Sequence, residues 1–158
     1  MIIPLSFKIF LSLCYISMTR KLVQAKQFNP VILAISPLIQ ETGDKNGNYT
    51  RIDKIITSSI NAVFLNINIL NVEQGAFFVF ELPVAAKRNF TNQNQVTGSV
   101  SVLSNDLLNV KIGGAVILAE IGTKNQARII FSFDAPLIPN QINFIVGASF
   151  QYSLDNKC

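Results

Sequence analysis

Along most of this chain, apolar and polar residues alternate with a period of two. The segment INAVFLNINILNV, residues 60 to 72, shows it most densely: Val63, Leu65, Ile67 and Ile69 share one face of an extended chain, Asn66 and Asn68 the other. A helix here would have to stack β-branched residues with four Asn, all weak helix formers. The period predicts a half-buried strand whose asparagines form its solvated side.

Four further segments repeat the pattern. VTGSVSVL aligns Val96, Gly98, Val100 and Val102, and QARIIFSF aligns Ile129, Phe131 and Phe133. INFIVGASFQYSL aligns Ile142, Phe144, Val146, Ala148, Phe150, Tyr152 and Leu154. DLLNVKIGGAVILAEI aligns Leu108, Val110 and Ile112, then Val116 and Leu118, with Gly113-Gly114 marking a bulge or bend. Turn residues separate these runs. Asn46-Gly47, the favoured two-residue hairpin pair, predicts a tip between VILAISPLI and RIDKII. Glu73-Gln74-Gly75, KRNFTNQNQ, Gly122 to Asn125 and Pro136 to Asn140 mark the other turns. Eight or nine short strands and no helical window predict an all-β fold over residues 26–158, a single-domain antiparallel β-sandwich of the jelly-roll kind.

One run breaks the alternation. AFFVFELPV is apolar on both faces and AVILAEI nearly so. In a two-layer sandwich one face of each would meet water. Phe77, Phe78, Phe80 and Leu82 are therefore the candidate interface, to be covered by a second copy of the chain, a protein partner, lipid, or residues 1–25 if they are retained as an arm. Glu81 shares a face with Phe77 and Val79, so it stands at a strand end in water or pairs with a base; Pro83 marks an edge or a strand end.

Residues 1–25, MIIPLSFKIFLSLCYISMTRKLVQA, carry Lys8, an apolar run from Ile9 to Met18 and the small-x-Ala sequence Val23-Gln24-Ala25. This is the pattern of a signal peptide cut after Ala25, which would place the domain outside the cell or on its surface. Arg20-Lys21 between the apolar run and the cleavage site departs from that pattern. The alternatives are an arm of the folded domain, a membrane anchor shorter than the roughly 20 residues a span needs, or a start at Met18, which would leave the protein cytoplasmic.

The composition sharpens the picture. The chain of 158 residues is 49% hydrophobic and only 14% charged, against about 25% in soluble domains; 16 Asn and 9 Gln wet the surface instead. Of its net charge of +4, three come from Lys8, Arg20 and Lys21. No run gathers the remaining cations, so the sequence gives no footprint for nucleic acid.

There is no His and no Trp. That excludes Ser-His-Asp and Cys-His catalysis and the usual zinc and copper ligand sets, and no phosphate-binding glycine motif occurs. No catalytic, cofactor or metal site is expected. GDKNGNYTRID offers oxygens at Asp44, Asn46, Asn48 and Asp53, but Gly47 and Ile55 break the calcium-loop register, leaving a polar turn. Glu81, Asp106, Glu120 and Asp134 fall at strand ends with no spacing that selects an acid–base pair. Two sequons, at Asn48 and Asn89, lie in predicted loops and become glycan acceptors if a eukaryote exports the chain. Cys14 falls in the expected signal peptide, so after cleavage Cys158 would be a lone terminal thiol, a candidate for an intermolecular disulfide or an inert tail. The expectation is a non-enzymatic, secreted or surface structural subunit that assembles with copies of itself or with a protein partner, membrane contact not being favoured. The alternatives are a carbohydrate- or ligand-binding module, with Tyr49 as candidate platform, and a small outer-membrane-type β-barrel.

Overall fold

The computed structural model describes residues 24–70, 75–105, 111–136 and 143–156; expectations that fall on residues 1–23, Asp106, Leu108, Val110, Ile142 and Cys158 lie outside these. Nine strands follow one another: β1 (Lys26–Phe28), β2 (Ile32–Ile35), β3 (Ile39–Ile52), β4 (Ile55–Asn66), β5 (Ala76–Glu81), β6 (Val96–Ser104), β7 (Lys111–Ala119), β8 (Gln126–Phe133) and β9 (Asn143–Ser153). Among the described residues the sole helical element is one 3₁₀ turn, Gln93–Gln95, capped by Asn92. Every strand pairing among the described residues is antiparallel.

The class and the number of strands agree with the sequence pattern, but the layering differs. Hydrogen bonding is continuous across one sheet in the order β1-β3-β4-β9-β6-β7-β8-β5-β2, curled into a half-barrel instead of divided into two sheets. The connectivity explains the curl. β1 and β2 are consecutive in the chain, joined only by Asn29-Pro30-Val31, yet they stand at opposite ends of the strand order. A three-residue link can join two edges only if the sheet brings them side by side. Pro30 cannot donate to a ladder, and around it the chain leaves β3 and takes up pairing with β5, where the Val31 carbonyl accepts the Glu81 N–H at 2.9 Å.

Curling gives the sheet an inside, which phenylalanine fills. Phe64 on β4 and Phe78 on β5 lie 4.8 Å apart between ring centroids although their strands are five places apart in the order. Phe80 meets Phe150 at 5.6 Å, and Phe144 meets Phe131 at 5.6 Å and Phe133 at 5.1 Å. Each such side chain withdrawn from water contributes roughly 1.5–3 kcal/mol. The inward faces of β6, β8 and β9 are those the alternation predicts.

Three local expectations are corrected. On β4 the buried set is Ile56, Ser58, Ile60, Ala62, Phe64 and Asn66, so Val63 and Leu65 face outward. Both faces of that segment are apolar, and the bulkiest residue, Phe64, takes the inside. On β7, Ile117 and Ala119 point inward and Val116 outward. Val102 pairs with Gly113 while Leu103 pairs with Lys111, leaving Ile112 as an extra residue that shifts the face by one. Finally, Asn46-Gly47 is not a hairpin tip. It lies inside β3 with Gly47 opposite Ile60, and the tip is Asp53-Lys54, closed by the pair Ile52 and Ile55, with Asp53 at φ 56°. Gly47 answers a packing demand, since a Cβ there would stand 2.6 Å from the Phe28 ring.

Candidate functional site

The interface expected at Phe77, Phe78, Phe80 and Leu82 is mostly interior. Phe78 and Phe80 are 0% exposed and Leu82 is 4% exposed, all within the chain's own core. A sandwich would have shared this run between core and solvent; the curl encloses one face. Phe77 alone of the four points outward, half-buried beneath the Arg128 guanidinium, which sits 4.7 Å over its ring. Arg128 is held there by Glu120, Nε to Oε2 at 2.9 Å and Nη2 to Oε1 at 3.1 Å.

What does reach solvent on that side is a cross-strand row. Val116 pairs with Ile130, and Ile130 with Phe77, across β7, β8 and β5. Val116 is 54% exposed and Ile130 39%. The adjoining edge carries Val31, Leu33 and Ile35, also exposed. Sequence alternation missed this row because the bulge at Ile112 moves Val116 from the expected inside to the outside.

The opposite part of the outer surface has another character. Three consecutive rows cross β3, β4, β9 and β6: Thr50, Thr57, Gln151 and Thr97; Asn48, Ser59, Ser149 and Ser99; Asn46, Asn61, Gly147 and Ser101. None of the twelve is charged or apolar apart from the glycine. Two shallow open grooves of about 280 and 290 Å³ lie on these rows and share Ser99 and Ser149. The interior is filled with aromatic rings where an outer-membrane barrel has a polar one, while the outer surface is hydroxyl-rich on this part and apolar along Val116, Ile130 and the β2 edge.

The other singled-out residues are separate. Asn48 is exposed in the middle of β3, not in a loop, and its Oδ1 accepts the Ser59 hydroxyl at 3.1 Å; Asn89 is exposed in the loop after β5. Asp44 and Asp53 are nine positions apart along β3, about 30 Å in extended chain, beyond the reach of one ion. Among the described residues no group of three His, Cys, Asp or Glu side chains could hold a metal. Glu81 ends its strand half-buried, accepting the Asn125 amide at 3.1 Å in place of a base. Asp134 is exposed. Tyr49 is half-buried with its ring edge-on to Phe28 at 5.9 Å, and it lines a cavity with Gln24, Lys26, Arg51 and Val84.

The cations, by contrast, come together. Lys26, Arg51, Lys54, Lys87, Arg88 and Lys124 are six of the nine described Lys and Arg, all exposed, and all stand at the end of the half-barrel where β3, β5 and β9 finish. The linear sequence hid this cluster because its members are spread over nearly a hundred positions. Here Lys54 Nζ binds Asp155 at 3.1 Å, and this hydrogen bond, with the carboxylate's charge, raises the Lys54 pKa. At the same end burial pushes the Tyr152 phenol well above its ordinary value, only partly offset by its hydrogen bond to Val84.

Comparison with protein-family models, with curated proteins and with solved structures finds no match to this chain.

Proposed function

We propose that this chain is a non-enzymatic structural subunit, exported to the cell surface or beyond, that assembles through its outer surface with copies of itself or with a protein partner. In this reading the curled sheet is the sandwich-like scaffold expected from the sequence, its two halves facing each other across the phenylalanine core. The observation that carries the proposal is the outward row Val116–Ile130–Phe77 with the apolar edge of β2 beside it. Exposed apolar residues in one contiguous row mark contact surfaces, whereas single ones do not. The ion pair of Arg128 and Glu120 next to the row presents both signs of charge, so two copies meeting about a twofold axis can set opposite charges against each other. Light scattering on the purified chain tests its self-assembly: a mass that rises with concentration supports it, and a single-chain mass throughout removes it.

A second reading, binding of a neutral polyhydroxylated ligand such as a glycan, draws on the twelve-position face of β3, β4, β9 and β6. An uncharged array of hydroxyls and amides matches a ligand that has many hydrogen-bonding groups and no charge. Glycan-array binding lost on Ser149→Lys would favour it over assembly.

A further inference from the structure

The basic end described above is built from four segments that hydrogen bonds draw together. The Leu154 N–H donates to the Lys54 carbonyl at 2.7 Å, and the Leu154 carbonyl accepts the Lys87 N–H at 2.9 Å. Asn156 brackets Arg88, its Oδ1 accepting the Arg88 N–H and its Nδ2 donating to the Arg88 carbonyl. The Lys124 carbonyl accepts the Ala86 N–H at 2.7 Å. Lys26 and Arg51 line one cavity of about 230 Å³ with Val84.

Among the described residues, carboxylates at this end are fewer and mostly engaged. Asp155 is bound by Lys54, Glu120 by Arg128, and Glu81 by the Asn125 amide; Asp53 is exposed at the hairpin tip. The other end holds Glu41, Asp44, Lys45, Lys111 and Asp134 among the described residues, so positive charge is concentrated on one pole.

Apolar side chains stand exposed among these cations. Ile52 and Ile55 face each other across the Asp53-Lys54 tip, and Ile121 lies in the turn after β7. That turn is tied to the same end, since the Gly122 N–H donates to the Phe90 carbonyl at 2.9 Å.

We propose that this end of the half-barrel docks on an anionic lipid bilayer, Ile52, Ile55 and Ile121 entering the headgroup layer while the six cations face anionic headgroups. The two features together select the occupant. Juxtamembrane cations are attracted to acidic lipid, and apolar tips gain by leaving water for the acyl boundary. Nucleic acid would satisfy the cations but would press the isoleucines against phosphate. The proposal does not rest on the assembly reading, because the row of Val116 and Ile130 takes no part in it.

The test is co-sedimentation of the full chain with vesicles of phosphatidylcholine alone and of phosphatidylcholine mixed with phosphatidylserine. The expected result is binding to the mixed vesicles at low salt, weaker by about tenfold or more on phosphatidylcholine alone and at high salt. The triple variant Lys87→Gln, Arg88→Gln, Lys124→Gln should lose about tenfold or more, and Ile52→Ser with Ile55→Ser should also weaken binding at an unchanged melting temperature. Equal binding to both vesicle types, as an apolar N-terminal run alone would give, overturns the proposal. So does wild-type binding by both variants. Binding to single-stranded RNA in preference to the mixed vesicles, indifferent to the isoleucine changes, assigns the end to nucleic acid and overturns it as well.

Discussion

The Tyr152 hydroxyl serves both backbone groups of Val84: it donates to the Val84 carbonyl at 2.7 Å and accepts the Val84 N–H at 3.1 Å. Asn156 does the same for Arg88 four residues further along each segment. Two side chains thus take the place of a neighbouring strand and fasten the loop after β5 to the end of β9. Tyr152 can do this because its ring is buried, stacked on Phe150 and edge-on to Phe90.

Tyr152→Phe keeps the packing and removes both bonds, leaving the Val84 groups without their partner. The expected loss is about 1–3 kcal/mol, read as a lower urea midpoint at unchanged slope. A loss below about 0.5 kcal/mol, the range of ordinary surface changes, would mean that water replaces the phenol.

The raised Tyr152 pKa sets a base-side limit. The folded state holds the phenolic proton more tightly than the unfolded chain, whose value is about 10. Its contribution is therefore whole below about pH 10 and is lost as pH climbs toward the folded value, because the unfolded state releases the proton first. Urea midpoints measured through this window should fall more steeply for wild type than for Tyr152→Phe. Parallel curves would contradict the assignment.

Asn66 is 0% exposed and closes the turn after β4: its Oδ1 accepts the Ile69 N–H at 2.8 Å and its Nδ2 donates to the Ile69 carbonyl at 3.3 Å. Asn66→Ala should cost about 1–3 kcal/mol by leaving buried groups unpaired. Asn68→Ala, two residues on and exposed, should stay within about 0.5 kcal/mol. Thermal unfolding of the pair distinguishes them, and equal small effects would place Asn66 in water.

Turn residues marked the connections at 87–95 and 122–125, and the alternation of residue types was enough to read the all-β class and the inward faces of β8 and β9, because one face of each of those strands is much the more apolar. It was not enough where both faces are apolar. At Phe64 the choice of side followed from bulk, and at Val116 from one extra residue at position 112. Asn46-Gly47 carried the composition of a turn but met the Phe28 ring instead. The sites lay deeper still. Lys54, Lys87 and Lys124 come together only through the end of β9 and two loops, and Lys26 joins that end through the pairing of β1 with β3, which no local window contains.

Phe80 separates core from interface. It is wholly buried against Phe78 and Phe150, so Phe80→Ala should cost about 3–5 kcal/mol in chemical denaturation. If it left stability intact and abolished only association, the interface first expected at this run would be restored.

The proposed assembly is tested most directly by sedimentation velocity on wild type and on Val116→Ser with Ile130→Ser over a wide concentration range. Wild type should pass from monomer to a larger species as concentration rises, and the double variant should stay monomeric at an unchanged melting temperature. A wild-type chain that remains monomeric throughout, or a variant that associates equally well, would contradict the assignment of this row as the contact surface.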